Sequence, residues 1–397
     1  MRSAFVSTNE PRPGAPYILQ SGGHSKWEFF SLESPRPCCT QSRGIAVGSD
    51  QNIWFTDPAD TVVGRVTMAG VLTEYLMPNN LEEPQRITSG PDGALWVTVI
   101  GGSGAPDEIA RVTTGDSVTE YPIPTPSSVP VGIAVGSDKN IWFAEAGANK
   151  IGKITTAGSF TEYSLPNGVI EPVDVTKGPD GNIWFTSYSY VGKISSHGVV
   201  TAFQVPTANS NPYDIVAGKD GALWFTENSA NQIGRVTTAG EFQEFPIPFF
   251  EQTGPLGITK GPDGRIWFAV GNLIATIDAN NNMNGFKTAV DGDELASGPD
   301  GNLWFSTGTS KMGVFLRDKM SLSPTDLTLN VGQTMDVTVT ESGRRHTWTA
   351  TSSDTAVATV VGAGQGQFAV TGVASGVCQV TVTDDQLNSI IEDVRVN

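Results

Sequence analysis

The stretch Gly132-Ile133-Ala134-Val135-Gly136-Ser137-Asp138-Lys139-Asn140-Ile141-Trp142-Phe143-Ala144-Glu145 recurs, with small changes, along most of the chain. Its copies centre on Trp54, Trp96, Trp142, Trp184, Trp224, Trp267 and Trp304, at spacings of 42, 46, 42, 40, 43 and 37 residues. The chain is therefore a repeat array. Inside one copy, apolar and polar residues alternate at period two between turn residues, which predicts strands and not helices. In the third copy Gly132 to Gly136 is strand a, Ile141 to Ala144 strand b, Lys150 to Thr155 strand c and Phe160 to Leu165 strand d, with turns at 137–140 and 157–158. Four strands at a period near 42 make one blade of a β-propeller, and seven copies predict seven blades.

Composition agrees with an all-β chain. There are 45 Gly and 25 Pro in 397 residues, as turn-rich structure demands, and the length holds a propeller of about 300 residues plus one small domain. A formal net charge of −17, spread without long runs, favours solubility and repels nucleic acid. No apolar run reaches membrane-spanning length, so no membrane insertion is expected. Met1 to Glu10 carries a positive charge without an apolar stretch behind it, so no signal peptide is evident. Three cysteines make no disulfide framework. Cys38 and Cys39 are adjacent and read as reduced loop thiols, a vicinal disulfide or a reactive pair, while Cys378 belongs to another domain.

Residues 1–24 are rich in Pro, Gly and polar residues and read as an N-terminal arm. Lys26 to Leu32 then resembles the outer strands Leu72 to Met77 and Phe242 to Ile247, yet it precedes the first strand a. The last copy, Leu295 to Arg317, lacks a strand d. The Trp27 segment is expected to fill that vacancy and close the ring, which removes an open sheet edge. The propeller then spans residues 25–318. Beyond it, Leu322 to Leu329, Thr334 to Thr340, Arg345 to Ala350, Ala356 to Val361, Gln367 to Val373, Val377 to Thr383 and Ile390 to Val396 are strands at sandwich-like spacing. Leu329-Asn330-Val331-Gly332-Gln333-Thr334, Trp348, Ser352-Ser353-Asp354, Val357-Ala358-Thr359-Val360 and Gly372-Val373-Ala374-Ser375-Gly376 resemble a bacterial Ig-like group 2 domain over residues 319–397. Trp348 and Cys378 are then core residues.

The repeated Gly-Pro-Asp-Gly-x-Ile/Leu-Trp-Phe, Ile-Gly-Lys/Arg-Ile/Val-Thr and Thr-Glu-Tyr-x-Ile/Leu-Pro elements, with Pro-x-Gly/Asp-Ile, are similar to those of the streptogramin B (virginiamycin B) lyase family, from residue 25 to about 317. The resemblance implies a seven-bladed propeller that opens a cyclic depsipeptide antibiotic at its ester by elimination, with Mg²⁺ and with His and Glu residues on one face. The family's catalytic histidines occupy the x of Pro-x-Gly-Ile in late blades. Here the x positions hold Arg43, Gln85, Val131, Val173, Tyr213, Leu256 and Asp293, and none is histidine. His24 and His197 are expected on the opposite face and His346 in the second domain, so no imidazole is available to take a substrate proton there.

Carboxylates do gather on that face. Asp57, Glu145 and Glu227 end strand b; Asp174, Asp214 and Glu294 begin strand a, with Asp293 and Glu171 beside them. Glu145, Asp174, Asp214 and Glu227, converging on a central channel, can hold Mg²⁺ or Ca²⁺ through oxygen ligands or raise one another's pKa into the range of a base. Alternatively, they are solvated rim charges and acceptors for strand-end amides. Arg43, Arg86 and Tyr213 add donors and a stacking surface for an acidic or sugar-like ligand. The Trp and Phe of strand b need only a packing role, and Gly-Pro-Asp-Gly only a turn role.

Two function classes follow. One is a non-catalytic recognition or structural protein, extracellular or on a particle surface, serving adhesion or decoration, with a surface glycan, a protein or assembly partners as its target. A virion protein assembled in the cytosol accommodates the missing leader. The other is a Mg²⁺-dependent streptogramin B-type carbon–oxygen lyase, or a related carboxylate-based enzyme.

Overall fold

The computed structural model describes residues 27–31 and 42–397, apart from 69, 79–81, 103, 116, 250–252, 279, 289, 309–310, 316–319, 325, 342–347, 365 and 385–388. It contains strands and no helix among these residues. Chain contacts divide it into two units, Met1–Leu316 and Arg317–Asn397.

The first unit holds seven four-stranded antiparallel sheets. Strands a of sheets 1 to 7 are Ile45–Val47, Glu83–Ser89, Pro130–Val135, Val175–Lys177, Pro212–Ala217, Pro255–Lys260 and Leu295–Ser297. Each lies beside the strand a of the next sheet, and the last lies beside the first, so these strands form a closed inner ring. In six sheets the four strands follow in chain order; sheet 7 takes its outer strand, Trp27–Ser31, from the start of the chain, paired antiparallel with Lys311–Phe315.

Hydrogen bonds between neighbouring inner strands stitch the ring. On strand b, the Oγ1 hydroxyls of Thr56, Thr98, Thr186 and Thr226 donate to the carbonyls of Gln85, Val131, Tyr213 and Leu256 in the following sheets at 2.6–2.8 Å. Ser306 Oγ donates to Arg43 O at 2.8 Å and joins sheet 7 to sheet 1. Each of these hydroxyls in turn accepts an amide of its own strand a, from Gly44, Arg86, Asp174, Asp214 or Glu294. Sheets 3 and 6 have Ala144 and Ala269 in place of the hydroxyl. There the strand a amide reaches the next sheet directly, Gly132 N to Val173 O and Gly257 N to Asp293 O, both at 2.9 Å. That approach requires glycine: a Cβ on Gly132 would lie 2.4 Å from Asp174 Cα, and one on Gly257 2.3 Å from Asp293 O.

The seven Trp are buried, at 0–6% exposure. Each indole N–H donates to the Asp four residues earlier, in the a–b turn, at 2.9–3.2 Å. Six of the seven also stack on the Tyr or Phe of their own strand d, with centroids 5.3–5.9 Å apart. Arg65, Lys153, Lys193 and Arg235 of strand c cover the rings from above and pair with the same Asp residues. The turn motif is thus more than a turn. It supplies the acceptor that lets a Trp be fully buried with its polar N–H satisfied.

The second unit is two four-stranded sheets over one core. The first orders Met320–Ser323, Thr334–Glu341, Gln367–Gly372 and Ala358–Gly364; the second orders Leu327–Leu329, Ser389–Val396, Gly376–Asp384 and Trp348–Ser352. The single strand expected over Leu322 to Leu329 is in fact two strands in different sheets. Pro324 stands between them, has no N–H for a ladder, and ends the first. Cys378 is in the core at 4% exposure, and Trp348 packs against it partly buried.

Two variants test the stitching. Ser306→Ala removes the relay at the closing seam and is expected to lower stability by about 1 kcal/mol. Gly132→Ala is expected to cost more, because its Cβ meets the backbone at Asp174 Cα (2.4 Å) and Val173 O (2.8 Å) as well as the Asp174 carboxylate. Thermal and denaturant melts of both measure this; equal melting of Gly132→Ala and the parent would contradict the close approach.

Candidate functional site

Each strand a of sheets 2, 3, 5 and 6 begins with a β-bulge, at Pro84/Ile87, Pro130/Ile133, Pro212/Ile215 and Pro255/Ile258. A bulge sets two residues against one and re-aims their side chains. The second bulge residue and its equivalents in the other sheets are Gly44, Arg86, Gly132, Asp174, Asp214, Gly257 and Glu294. Three glycines leave room, and four polar side chains fill it.

Arg86 is the hub. It is 5% exposed and pairs with Glu294 of sheet 7. Its guanidinium carbon lies 5.5 Å from the centroid of Tyr213 in sheet 5, so this side chain on sheet 2 addresses sheets on other sides of the ring. Burial opposes its charge, but Tyr213, Asp214, Asp174 and Asp293 raise its pKa further and keep it a cation. Its Nη2 is buried without a hydrogen-bond partner. Arg43 is exposed and donates to Gln85 Oε1.

Asp174 and Asp214 stand side by side. Burial pushes the Asp174 carboxyl well above its usual range, and the charge and hydrogen bond of Asp214 push it further; Arg86 acts the other way. Both are also structural acceptors: Ile215 N donates to Asp174 Oδ2 at 3.2 Å and Ile258 N to Asp214 Oδ2 at 2.8 Å, each from the next sheet. Asp293 is raised by burial against the pull of Arg86 and Arg43.

The structure thus gathers Arg43, Arg86, Asp174, Tyr213, Asp214, Asp293 and Glu294, but not the other three expected residues. Asp57 Oδ1 accepts the amides of Ala59 and Asp60 and caps its own b–c turn. Glu145 is fully buried and faces Glu162, Lys150 and Asp107, which with burial set its pKa at about 8. Glu227, also fully buried, is raised to about 7 by burial and Glu244, opposed by Ser210. The structure does not bring the expected metal set Glu145, Asp174, Asp214 and Glu227 together. Among the described residues those four do not form a group with ligand atoms within 4.8 Å of one another, whereas Glu82, Glu108 and Glu120 do. Glu145 and Glu227 face the strand d carboxyls Glu162 and Glu244 of their own sheets, whereas Asp57 stays on its own b–c turn. The Glu82 cluster was missed because Glu120 looked like any strand d Glu; the available signal was Glu108, at the position Lys150 fills in the next sheet.

His197 is exposed in its c–d turn, its Nδ1 3.3 Å from Ser196 Oγ. His24, His346, Cys38, Cys39 and the arm before Trp27 lie outside the described residues.

A ring of antiparallel sheets, with a buried arginine among carboxylates at its inner strand starts, defines a β-propeller with one polar centre. The chain belongs to the virginiamycin B lyase family, whose sequence pattern matches residues 25–222 and 191–371. It is 32% identical to a streptogramin B lyase structure over 72% of this chain and 96% of that one, with a TM-score of 0.67. Virginiamycin B lyase from Staphylococcus aureus aligns at 32% identity over 74% of this chain and 100% of that one, TM-score 0.68, and the same figures hold for its catalytically inactive histidine-to-alanine variant solved with quinupristin. The extracellular domain of a one-component system from B. thetaiotaomicron shares the fold at 14% identity, TM-score 0.60, over 93% of this chain and 59% of that one. No curated protein matches the sequence. No helix among the described residues is long and apolar enough to cross a membrane.

The carboxyls predict a pH dependence. Glu145 and Glu227 have folded pKa values of about 8 and about 7 against an ordinary 4.5. The folded state binds more protons than the unfolded state across that window, so both groups make stability fall as pH rises from about 4.5 to about 8. The double variant Glu145→Gln, Glu227→Gln is expected to flatten this slope and melt higher than the parent at pH 8; an unchanged slope in thermal melts would remove the assignment.

Proposed function

We propose that this protein is a non-catalytic recognition or structural member of the virginiamycin B lyase family, displayed outside the cell or on a particle. Arg86 carries this reading. It is buried across the ring centre and paired with Glu294, while the adjacent Asp174 and Asp214 accept amides of the following sheets. The acids are engaged in holding the ring and the cation. The x positions offer Arg43, Gln85, Val131, Val173, Tyr213, Leu256 and Asp293, with no imidazole to act as base. The S. aureus enzyme is catalytically inactive when one histidine becomes alanine, so the missing imidazole argues against ring opening.

In this proposal each sheet of the first unit is one blade of a seven-bladed propeller over residues 25–318, following an arm at 1–24. Residues 319–397 are a bacterial Ig-like domain, a reading supported by the two-sheet sandwich and its motifs. Exposed Arg43 and half-buried Tyr213 form the recognition face for an acidic glycan or protein surface. A propeller beside an Ig-like domain suits adhesion or particle decoration, including a virion component. The second reading, a Mg²⁺-dependent carbon–oxygen lyase, draws on the family and on the buried Asp174 carboxyl, raised by burial and by Asp214 beside it.

Incubation of the full chain with quinupristin and Mg²⁺, followed by mass spectrometry, separates the two. The macrocycle is expected to stay intact. A linear product that disappears in Asp174→Asn would establish the lyase reading instead. On a glycan array, binding to acidic glycans that is lost in Arg43→Ala, Tyr213→Ala is the expected positive result.

A further inference from the structure

We propose that Glu82, Glu108 and Glu120 bind one hard divalent cation, Ca²⁺ by the number of carboxylate ligands, which braces the second sheet of the ring. Glu82 precedes strand a (Glu83–Ser89), Glu108 opens strand c (Glu108–Val112), and Glu120 is central in strand d (Val118–Pro122). One oxygen from each lies within 4.8 Å of the others. Three carboxylates around one ion suit Ca²⁺, which accepts many oxygen ligands in flexible geometry, whereas Mg²⁺ keeps several waters and is usually held by one or two carboxylates.

The neighbouring sheet shows what the position requires. Ala110 pairs with Glu120 as Gly152 pairs with Glu162, so Glu108 stands where Lys150 stands and Glu120 where Glu162 stands. In sheet 3, Lys150 Nζ lies 2.6 Å from Thr125 Oγ1 and 3.4 Å from Glu162 Oε2, a built-in cation for the buried carboxylate. Sheet 2 has a third carboxylate there instead. Glu108 is 6% exposed, and its Oε2 is buried without a hydrogen-bond partner, aimed at the group that surrounds it. An orphaned buried carboxylate oxygen is costly unless something positive meets it.

A divalent ion supplies the missing charge with oxygen ligands only, and backbone carbonyls and water complete its shell. This site is separate from the ring centre and does not depend on the functional reading above.

Calorimetric titration of the EGTA-stripped full chain with CaCl₂ tests the assignment. One ion per chain is expected, with a Kd on the order of 10⁻⁴ M, Mg²⁺ binding more weakly, and a melting temperature that climbs with Ca²⁺. Glu108→Lys reproduces sheet 3: it is expected to abolish binding and the Ca²⁺ response, yet to melt at or above the stripped parent. Glu120→Gln is expected to weaken binding at least tenfold, while Asp174→Asn leaves it unchanged. Absence of saturable Ca²⁺ binding by the parent up to millimolar concentration, or parent-like binding by both Glu variants, would overturn the site; Mg²⁺ binding more tightly than Ca²⁺ would overturn the choice of ion.

Discussion

The ring depends on a small polar relay. A hydroxyl at the fourth position of strand b takes an amide from its own inner strand and gives a proton to a carbonyl of the next, in sheets 1, 2, 4, 5 and 7. Apolar packing pulls neighbouring sheets together but is non-directional. The relay sets the angular step, because donor and acceptor must align. Where alanine replaces the hydroxyl, the chain compensates with glycine, and the backbones close the gap themselves. Thr or Ser with any residue, and Ala with Gly, are two solutions to one constraint.

This constraint also organises the polar centre. In sheets 2 and 5 the second bulge residue, whose amide meets the hydroxyl, is Arg86 or Asp214, and in sheets 3 and 6, which lack the hydroxyl, it is Gly132 or Gly257. Glycine there leaves space, and Arg86 uses it. A guanidinium so deeply buried persists only with anions around it, and Glu294, Asp174, Asp214 and Asp293 supply them from three other sheets. The same side chains that resemble an active-site constellation are what makes a buried cation tolerable. Structure and chemistry overlap here, and amides donated to Asp174 and Asp214 incline the balance toward structure.

The buried carboxyls outside the centre follow a second rule. Strand d of sheets 2, 3 and 5 carries a Glu that faces a partner near the loop before strand a: Lys150 and Thr125 for Glu162, Thr207 for Glu244, Glu82 and Glu108 for Glu120. In sheets 3 and 5 donors stand among the partners, beside the carboxyls of Glu145 and Glu227. In sheet 2 the partners are acids, so the repeat has departed from its own pattern at a place where burial magnifies the consequence.

Much of the architecture was legible from periodicity. The Trp spacing, the two-residue alternation and the unmatched Trp27 strand all reflect local chain geometry, which any strand of that pattern shares. Cys378 was expected in the core from the resemblance to an Ig-like domain and is buried there, while Trp348 packs on that core only partly buried. The partners of side chains were not legible. Whether the last residue of strand b or the first of strand a faces the ring centre turns on a one-residue bulge, which sequence alternation cannot register. That is why Asp57, Glu145 and Glu227 were grouped with residues they do not meet, and why Glu82, Glu108 and Glu120, up to 38 residues apart in the chain, were not grouped at all. The sequence by itself determined the repeat, the strand types and the absence of histidine at the inner strand starts. Only the tertiary structure decided which charges share a low-dielectric space, because that depends on the angle between neighbouring sheets and not on the pattern within one.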